Sequence, residues 1–318
     1  MGFESLLGNR RIRDNLQRSL RAGRISHFYL ISGPKGSGKH TLGRLLAAAL
    51  LCGGEETPCL SCPSCRKVLS GTHPDVIWVD EPEKKTVSVA LIRRAREDLY
   101  IRPNEGERKI YLFPRAQDMT TEAQNALLKV LEEPPGYGVF LLLTDNPEKL
   151  LPTVRSRCTE LSLQSLDSRT LENALQERFP QASAESVAAA AARSGGFLGQ
   201  GIRILSDQDT VSKETRAFAN AFAKRNILGI LGVLIPMEKW NRDALTDELQ
   251  RWTELLEEAL RCRCGFTAVS PAARVLGQMR SAGEFTQAIA CLKKAMEYAQ
   301  GNVSPAAVCG YLQWALRI

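Results

Sequence analysis

One feature constrains this chain above all others: Phe28-Tyr29-Leu30-Ile31-Ser32 runs straight into Gly33-Pro34-Lys35-Gly36-Ser37-Gly38-Lys39, and a Leu- and Ala-rich stretch follows. The apolar run reads as a buried strand and residues 41–51 as a helix. Between them lies G-x-x-x-x-G-K, the spacing of a phosphate-binding loop. Its glycines let backbone N–H groups turn inward around a phosphate. The helix start adds positive potential, and Lys39 supplies a point charge. A glycine-rich turn without phosphate chemistry is the competing reading, and the flanking strand and helix weigh against it. Gly33, Gly36, Gly38, Lys39, His40 and Thr41 are thus the candidate nucleotide contacts.

The pattern continues as strand and helix in alternation. Strand signals recur at Val76-Ile77-Trp78-Val79, Ile110-Tyr111-Leu112-Phe113, Val139-Phe140-Leu141-Leu142-Leu143 and Thr159-Glu160-Leu161-Ser162-Leu163. Helical stretches at 88–100 and 121–131 separate them. Alternation of this kind predicts a parallel sheet covered on both faces. After about residue 164 the strand signals stop. Helical periodicity takes over at 166–179, 184–193, from 201, 214–224, 243–261, 271–281 and 286–299. The 318 residues allow two or three domains. The expected division is an α/β P-loop domain over 1–165, a small helical domain over 166–206 and a larger helical domain over 207–318.

The phosphate loop lacks its usual company. After the P-loop Lys a Ser or Thr hydroxyl normally ligates Mg²⁺, but here the residue is His40. Thr41 follows, rotated ~100° around the helix from the required position. The strand that should end in acidic residues ends in Pro114-Arg115 instead. Two carboxylates would bring about −2 to the metal; a Pro and an Arg can neither hold Mg²⁺ nor act as a base at neutral pH. Three losses at one site argue that hydrolysis is absent. Binding of ATP or ADP without turnover stays compatible with the surviving glycines and Lys39.

Cys52, Cys59, Cys62 and Cys65 form C-x6-C-x2-C-x2-C. Zn²⁺ favours four thiolates in a tetrahedron, and an x2 spacing lets a tight turn bring two sulfurs to one metal. Gly53, Gly54, Pro58 and Pro63 suggest turns rather than helix between them. Four sulfurs leave no open position, so the expected role is a structural zinc module over 52–65. Disulfides or inert thiols are the competing readings. Cys262 and Cys264 read as free thiols, Cys291 and Cys309 as core residues, and Cys158 has no base beside it. His73-Pro74-Asp75 precedes a strand and reads as a turn rather than a metal pair, and His27 as structural.

Further motifs converge on a family. They are Ala123-Gln124-Asn125-Ala126-Leu127-Leu128-Lys129-Val130-Leu131-Glu132-Glu133-Pro134-Pro135, Thr144-Asp145-Asn146 and Val154-Arg155-Ser156-Arg157-Cys158. With the P-loop and the cysteine cluster, they resemble the clamp-loader branch of the AAA+ superfamily in its bacterial form. The resemblance is sharp over about the first 165 residues. It implies a RecA-like AAA+ domain, a three-helix lid and an all-α collar that joins five subunits in an open ring. The motor subunits of the branch carry Thr after the P-loop Lys and Asp-Glu at the strand end. This chain has neither, and so resembles the delta-prime type of DNA polymerase III subunit, the stator of the complex.

The resemblance further implies that Arg157 is an arginine finger, pointing at the γ-phosphate held by an adjacent motor subunit. A guanidinium supplied in trans stabilises charge spreading over the transferring phosphoryl; a surface Arg paired with a carboxylate is the alternative. Thr144 and Asn146 either occupy a sensor position or cap their strand. A second sensor, an Arg at the start of a lid helix, would fall near Gly199; Arg203 lies one turn on. The family also carries a zinc module like this one, with a slightly longer first spacing.

Forty-two Lys and Arg against 35 Asp and Glu give a net charge of +7, which alone does not decide for nucleic acid. Arg10, Arg11, Arg13, Arg18, Arg21 and Arg24 crowd the N-terminal region, and Arg93, Arg94 and Arg96 share a helix. By the resemblance, part of this charge meets the backbone of primer-template DNA. The implied partners are the motor subunits (gamma/tau), the delta subunit and, through the complex, the sliding clamp, all within a DNA polymerase III holoenzyme. No apolar run approaches the ~20 residues of a membrane span, and the start lacks a secretory signal, so a cytoplasmic protein without membrane contact is expected. Two other functions compete: an active gamma/tau-like clamp-loader ATPase, and a stand-alone nucleotide-binding P-loop protein.

Overall fold

Strands buried on both faces read in sequence as unbroken apolar runs, as three of the five strand signals here do, and all five become parallel strands. They are β1 (Phe28–Ser32), β2 (Val76–Trp78), β3 (Lys109–Phe113), β4 (Gly138–Thr144) and β5 (Thr159–Ser162), in the order β2-β3-β4-β1-β5. The computed structural model describes residues 2–54, 56–207, 212–266, 270–301 and 303–317. Alternation along β1 splits its side chains between two cores. Tyr29 and Ile31 join Leu112, Leu141 and Leu143 beneath the helix Lys39–Leu50. Phe28 and Leu30 join Tyr111, Phe113 and Phe140 against the helices Val89–Leu99 and Thr121–Glu132. Phe140 stacks between Phe28 and Tyr111, with ring centroids 4.8 and 5.0 Å away.

Several helices differ from what periodicity suggests. Pro63 opens a helix, Pro63–Ser70, and Cys62 is its N-cap. The expectation of turns there fails because Pro at the first helical position gives up an N–H that has no intrahelical partner anyway. The helix expected from 201 starts earlier, at Leu198; its two glycines mask it in a propensity reading. Ile227–Met237 escapes a periodicity search because it is apolar nearly all round and contains Pro236. Arg10–Arg21 and Pro305–Ala315 are also helical.

The chain divides into two compact units, Met1–Leu171 with Gly195–Gln200, and Glu172–Ser194 with Gly201–Ile318. The second is helical throughout its described residues. Its core stacks Phe218 on Trp252, centroids 4.0 Å apart. Beside them the buried Glu248 accepts hydrogen bonds from Ser212 Oγ, Thr215 Oγ1 and Trp252 Nε1. Among the described residues no helix is long and apolar enough to cross a membrane.

In the first unit, Asp75 has no exposed surface. Its carboxylate accepts from the backbone N–H groups of Asn104, Glu105 and Gly106, and the adjacent His73 accepts from the Asp75 N–H. This is the turn that the His-Pro-Asp run suggests, now tied to the loop before β3. Burial would raise the Asp75 pKa, but these three N–H groups and the Asn104 side-chain amide outweigh it and hold the group below the ordinary carboxylate value. Asp75→Asn should therefore cost about 2–3 kcal/mol in urea unfolding at pH 7. A carboxylate depressed in the folded state stabilises above its unfolded pKa and loses that contribution as pH falls through the folded value. The gap between wild type and variant should accordingly narrow in acid. A gap independent of pH would show that the charge is not what holds the loop.

Candidate functional site

The glycine loop leaves the carboxyl end of β1, between β4 and β5 in the sheet, where open parallel sheets place their ligands. Gly36 and Gly38 have φ of 78° and 95°, the left-handed region that glycine enters without strain. Gly38 then caps the helix Lys39–Leu50. Lys39 is only 8% exposed, and its ammonium donates to the carbonyls of Gly33 and Pro34. Burial pushes its pKa below the ordinary lysine value, against the raising influence of Asp145. His40 lies parallel to the Trp78 ring, 6.5 Å between centroids, with the Arg44 guanidinium 5.3 Å from the same ring. Desolvation, then the charges of Lys39 and Arg44, push the His40 imidazole down. Thr41 is exposed on the next helical position.

At the end of β3, Arg115 is not a loose positive charge. It pairs with Asp80 at 2.7 Å and donates to the carbonyls of Glu81 and Lys84. The strand end is thus nearly neutral, a correction to the +1 that the strand's own sequence suggests. Asp80 follows β2, and nothing in the Pro114-Arg115 motif announces that pairing. For metal chemistry the consequence is unchanged: the nearest carboxylate is already committed to a guanidinium.

Arg157 sits at the other edge of the sheet. β5 runs parallel to β1 with Thr159 opposite Tyr29, so Arg157 precedes the amino end of β5 while the glycine loop follows the carboxyl end of β1. About 13 Å of strand rise separates the levels of Tyr29 and Gly33. The Arg157 guanidinium is exposed, donating to the Thr153 carbonyl at 3.0 Å, with Glu132 3.8 Å away. Thr144 and Asn146 both cap: Thr144 Oγ1 accepts from the Asn146 N–H, and Asn146 Oδ1 from the Glu148 N–H.

The four cysteines of the 52–65 stretch converge, with all sulfurs within 4.8 Å of one another. Cys59 and Cys65 Sγ lie 4.0 Å apart, close to the ~3.8 Å edge of a tetrahedron with metal–sulfur bonds of about 2.3 Å. Backbone N–H groups point at the sulfurs, from Cys59 to Cys52, Cys62 to Cys59 and Cys65 to Cys62. Such donors stabilise thiolates. N–H groups of Ser61 and Cys62 hold Cys59 down at about 6, while burial pushes Cys65 up. The donor set and spacing fit a tetrahedral metal ion. The remaining cysteines are free: Cys264 is exposed and Cys309 buried. Burial pushes the Cys158 thiol up to about 12, which rules against a nucleophile there.

One contact has no counterpart in the motif reading. The Gly199 N–H donates to the Gly36 carbonyl at 3.0 Å, and Gln200 Nε2 to the Lys35 carbonyl at 3.1 Å. The signal available in the sequence is the glycine cluster at 195, 196, 199 and 201.

A family model described as DNA polymerase III, delta subunit matches residues 8–167, about half of the chain. DNA polymerase III subunit delta' of Bacillus subtilis is 38% identical over 170 residues, 53% of this chain and 51% of that protein. Subunit tau/gamma of Haemophilus influenzae is 32% identical over 276 residues, 80% of this chain and 39% of that protein. The chain thus spans about half or less of the length of these curated relatives. A DNA polymerase III gamma subunit-related protein of Thermotoga maritima aligns over 95% of this chain and 98% of its own, with a TM-score of 0.54 and 17% identity. At that identity the shared property is the fold, a parallel-sheet P-loop domain followed by helices. The family model covers the domain that carries the glycine loop, the cysteine cluster and Arg157, and on that ground the chain belongs to the DNA polymerase III delta-subunit family, in the clamp-loader branch of the AAA+ proteins.

Proposed function

We propose that this chain is a non-hydrolysing subunit of a DNA polymerase III clamp loader, a stator of the delta-prime type. It would complete a neighbouring motor subunit's ATP site with Arg157 and so help load a sliding clamp on primed DNA. The observation that carries this reading is the end of β3, where Arg115 is locked to Asp80 in place of the carboxylates that hold magnesium. His40 in place of the hydroxyl ligand supports it. The exposed guanidinium of Arg157, at the edge of the sheet away from its own glycine loop, supports a role toward another subunit.

The division into 1–165, 166–206 and 207–318 belongs to this reading, with the last part as an oligomerising collar. The gamma/tau motor subunits and the delta subunit would be its neighbours, and part of the basic surface would follow the primer-template backbone. Zn²⁺ is the metal that four thiolates in this geometry favour. Cys52, Cys59, Cys62 and Cys65 would hold it, and its role would be structural.

The deciding experiment is steady-state ATP hydrolysis by the chain alone, followed by gel filtration with the motor and delta subunits. The expected result is no turnover above buffer, together with co-elution in a complex. Turnover that disappears in Lys39→Ala would make the chain an active clamp-loader ATPase. A monomer that joins no complex would make it a stand-alone P-loop protein.

A further inference from the structure

Charge is not spread evenly along this chain. Residues 1–34 hold six arginines, no lysine and two acids, Glu4 and Asp14, and so contribute four of the chain's seven net positive charges. Five of these arginines lie on the helix Arg10–Arg21, whose single acid is Asp14. The other arginine-rich helix of the first unit, Val89–Leu99, differs, because Glu97 and Asp98 offset two of its three arginines.

Packing decides which way the helix Arg10–Arg21 turns its charge. Leu16 is buried, and Ile12 and Leu20 pack beside it on the core beneath the helix Lys39–Leu50. The start of the helix is tied down, since Asn9 Oδ1 accepts from the Gln164 N–H at 2.7 Å. At 3.6 residues per turn, Arg10, Arg11, Arg18 and Arg21 fall within about 100° of one another, opposite that apolar stripe. All four are exposed. Asp14 shares their face, 3.7 Å from Arg10, in an exposed pair of little strength. Arg18 donates to a neutral partner, Asn15 Oδ1. Neither Arg11 nor Arg21 forms an ion pair with a described residue.

The four guanidinia make two pairs, one at each end of the face. With 1.5 Å of rise per residue, the middle of Arg10 and Arg11 lies about 14 Å along the axis from that of Arg18 and Arg21. The major groove of B-form DNA is about 12 Å wide. Arginine's planar fork takes a phosphate through two parallel hydrogen bonds, which a lysine ammonium cannot do. We propose that the outer face of the helix Arg10–Arg21 is a docking surface for duplex DNA. It lies across the major groove, so that each arginine pair meets the phosphates of one strand and Asp14 stands over the gap. Such contacts position the duplex without reading its sequence. The duplex would be the primer-template of the proposed function, and the biological role of the contact rests on that reading. Binding by the chain alone needs no partner subunit, so either can fail without the other.

The test is an anisotropy titration of a fluorescein-labelled duplex of mixed sequence with the full chain, repeated at several salt concentrations. Arg11→Ala/Arg21→Ala removes one guanidinium from each pair, and alanine keeps the helix. It should bind about tenfold more weakly, with a slope of log affinity against log salt shallower by about two. Arg93→Ala/Arg94→Ala removes the same charge from the helix Val89–Leu99 and should stay closer to wild type. An equal loss in both variants, a loss with an unchanged salt slope, or no binding by the wild-type chain overturns the proposal. So does a wild-type chain that prefers a single strand of the same length. Displacement of the duplex by polyglutamate of equal charge overturns it too, and points to an acidic protein as the occupant.

Discussion

Arg157→Ala, assembled with motor and delta subunits, clamp and primed DNA, is expected to slow ATP turnover at the adjacent motor site by about a thousandfold. The expectation follows from the charge that spreads over the transferring phosphoryl and from the guanidinium's freedom to meet it. Arg157 is held by one carbonyl and by a carboxylate 3.8 Å away. Exposed pairs of that kind contribute about 1 kcal/mol or less. The variant should therefore fold and assemble as wild type does, and the loss should appear in the chemical step. Arg157→Lys keeps the charge but loses the planar fork, so it should recover only part of the rate. Single-turnover hydrolysis with gel filtration of the same sample separates the two effects. Wild-type turnover in a normally assembled Arg157→Ala complex would remove the finger from the account.

The parts of the fold that rest on local chemistry were legible in the sequence. Phe28 to Ser32 is a strand on its residues alone, and Gly33 to Lys39 declares both the loop and the helix behind it. The cysteine spacing gave a cluster that the sulfurs do form. What local pattern cannot carry is a partner distant in sequence. Arg115 read as an unbalanced cation because Asp80, 35 residues earlier, arrives through the pairing of β2 with β3. Gly199 read as a missing sensor because its contact, Gly36, lies 163 residues away. Pro63 misled in a different way, since the same residue breaks a helix from within and starts one at its first position.

Chelation of a metal ion in the cysteine cluster is the second change expected to have a large effect, because the helix beside the cluster is short. The helix Pro63–Ser70 has eight residues, too few to persist in water without tertiary support. Its buried side chains, Cys65 and Val68, pack into the core beneath the helix Lys39–Leu50. A bound ion would close the excursion between that helix and β2. At free zinc a thousand times the dissociation constant, an ion contributes about 4 kcal/mol. In a chain of 318 residues that corresponds to a fall in Tm of about 6 °C on chelation. Cys65→Ser should abolish stoichiometric zinc in elemental analysis and lower Tm comparably, whereas Cys264→Ser, at an exposed cysteine, should change neither. Acid should act in the same direction as chelator. Ligands must be thiolates, and with Cys59 at about 6 and Cys65 pushed up by burial, protons compete increasingly as pH falls. A purified chain that carries no zinc and keeps its Tm in chelator would reduce the cluster to four packed thiols.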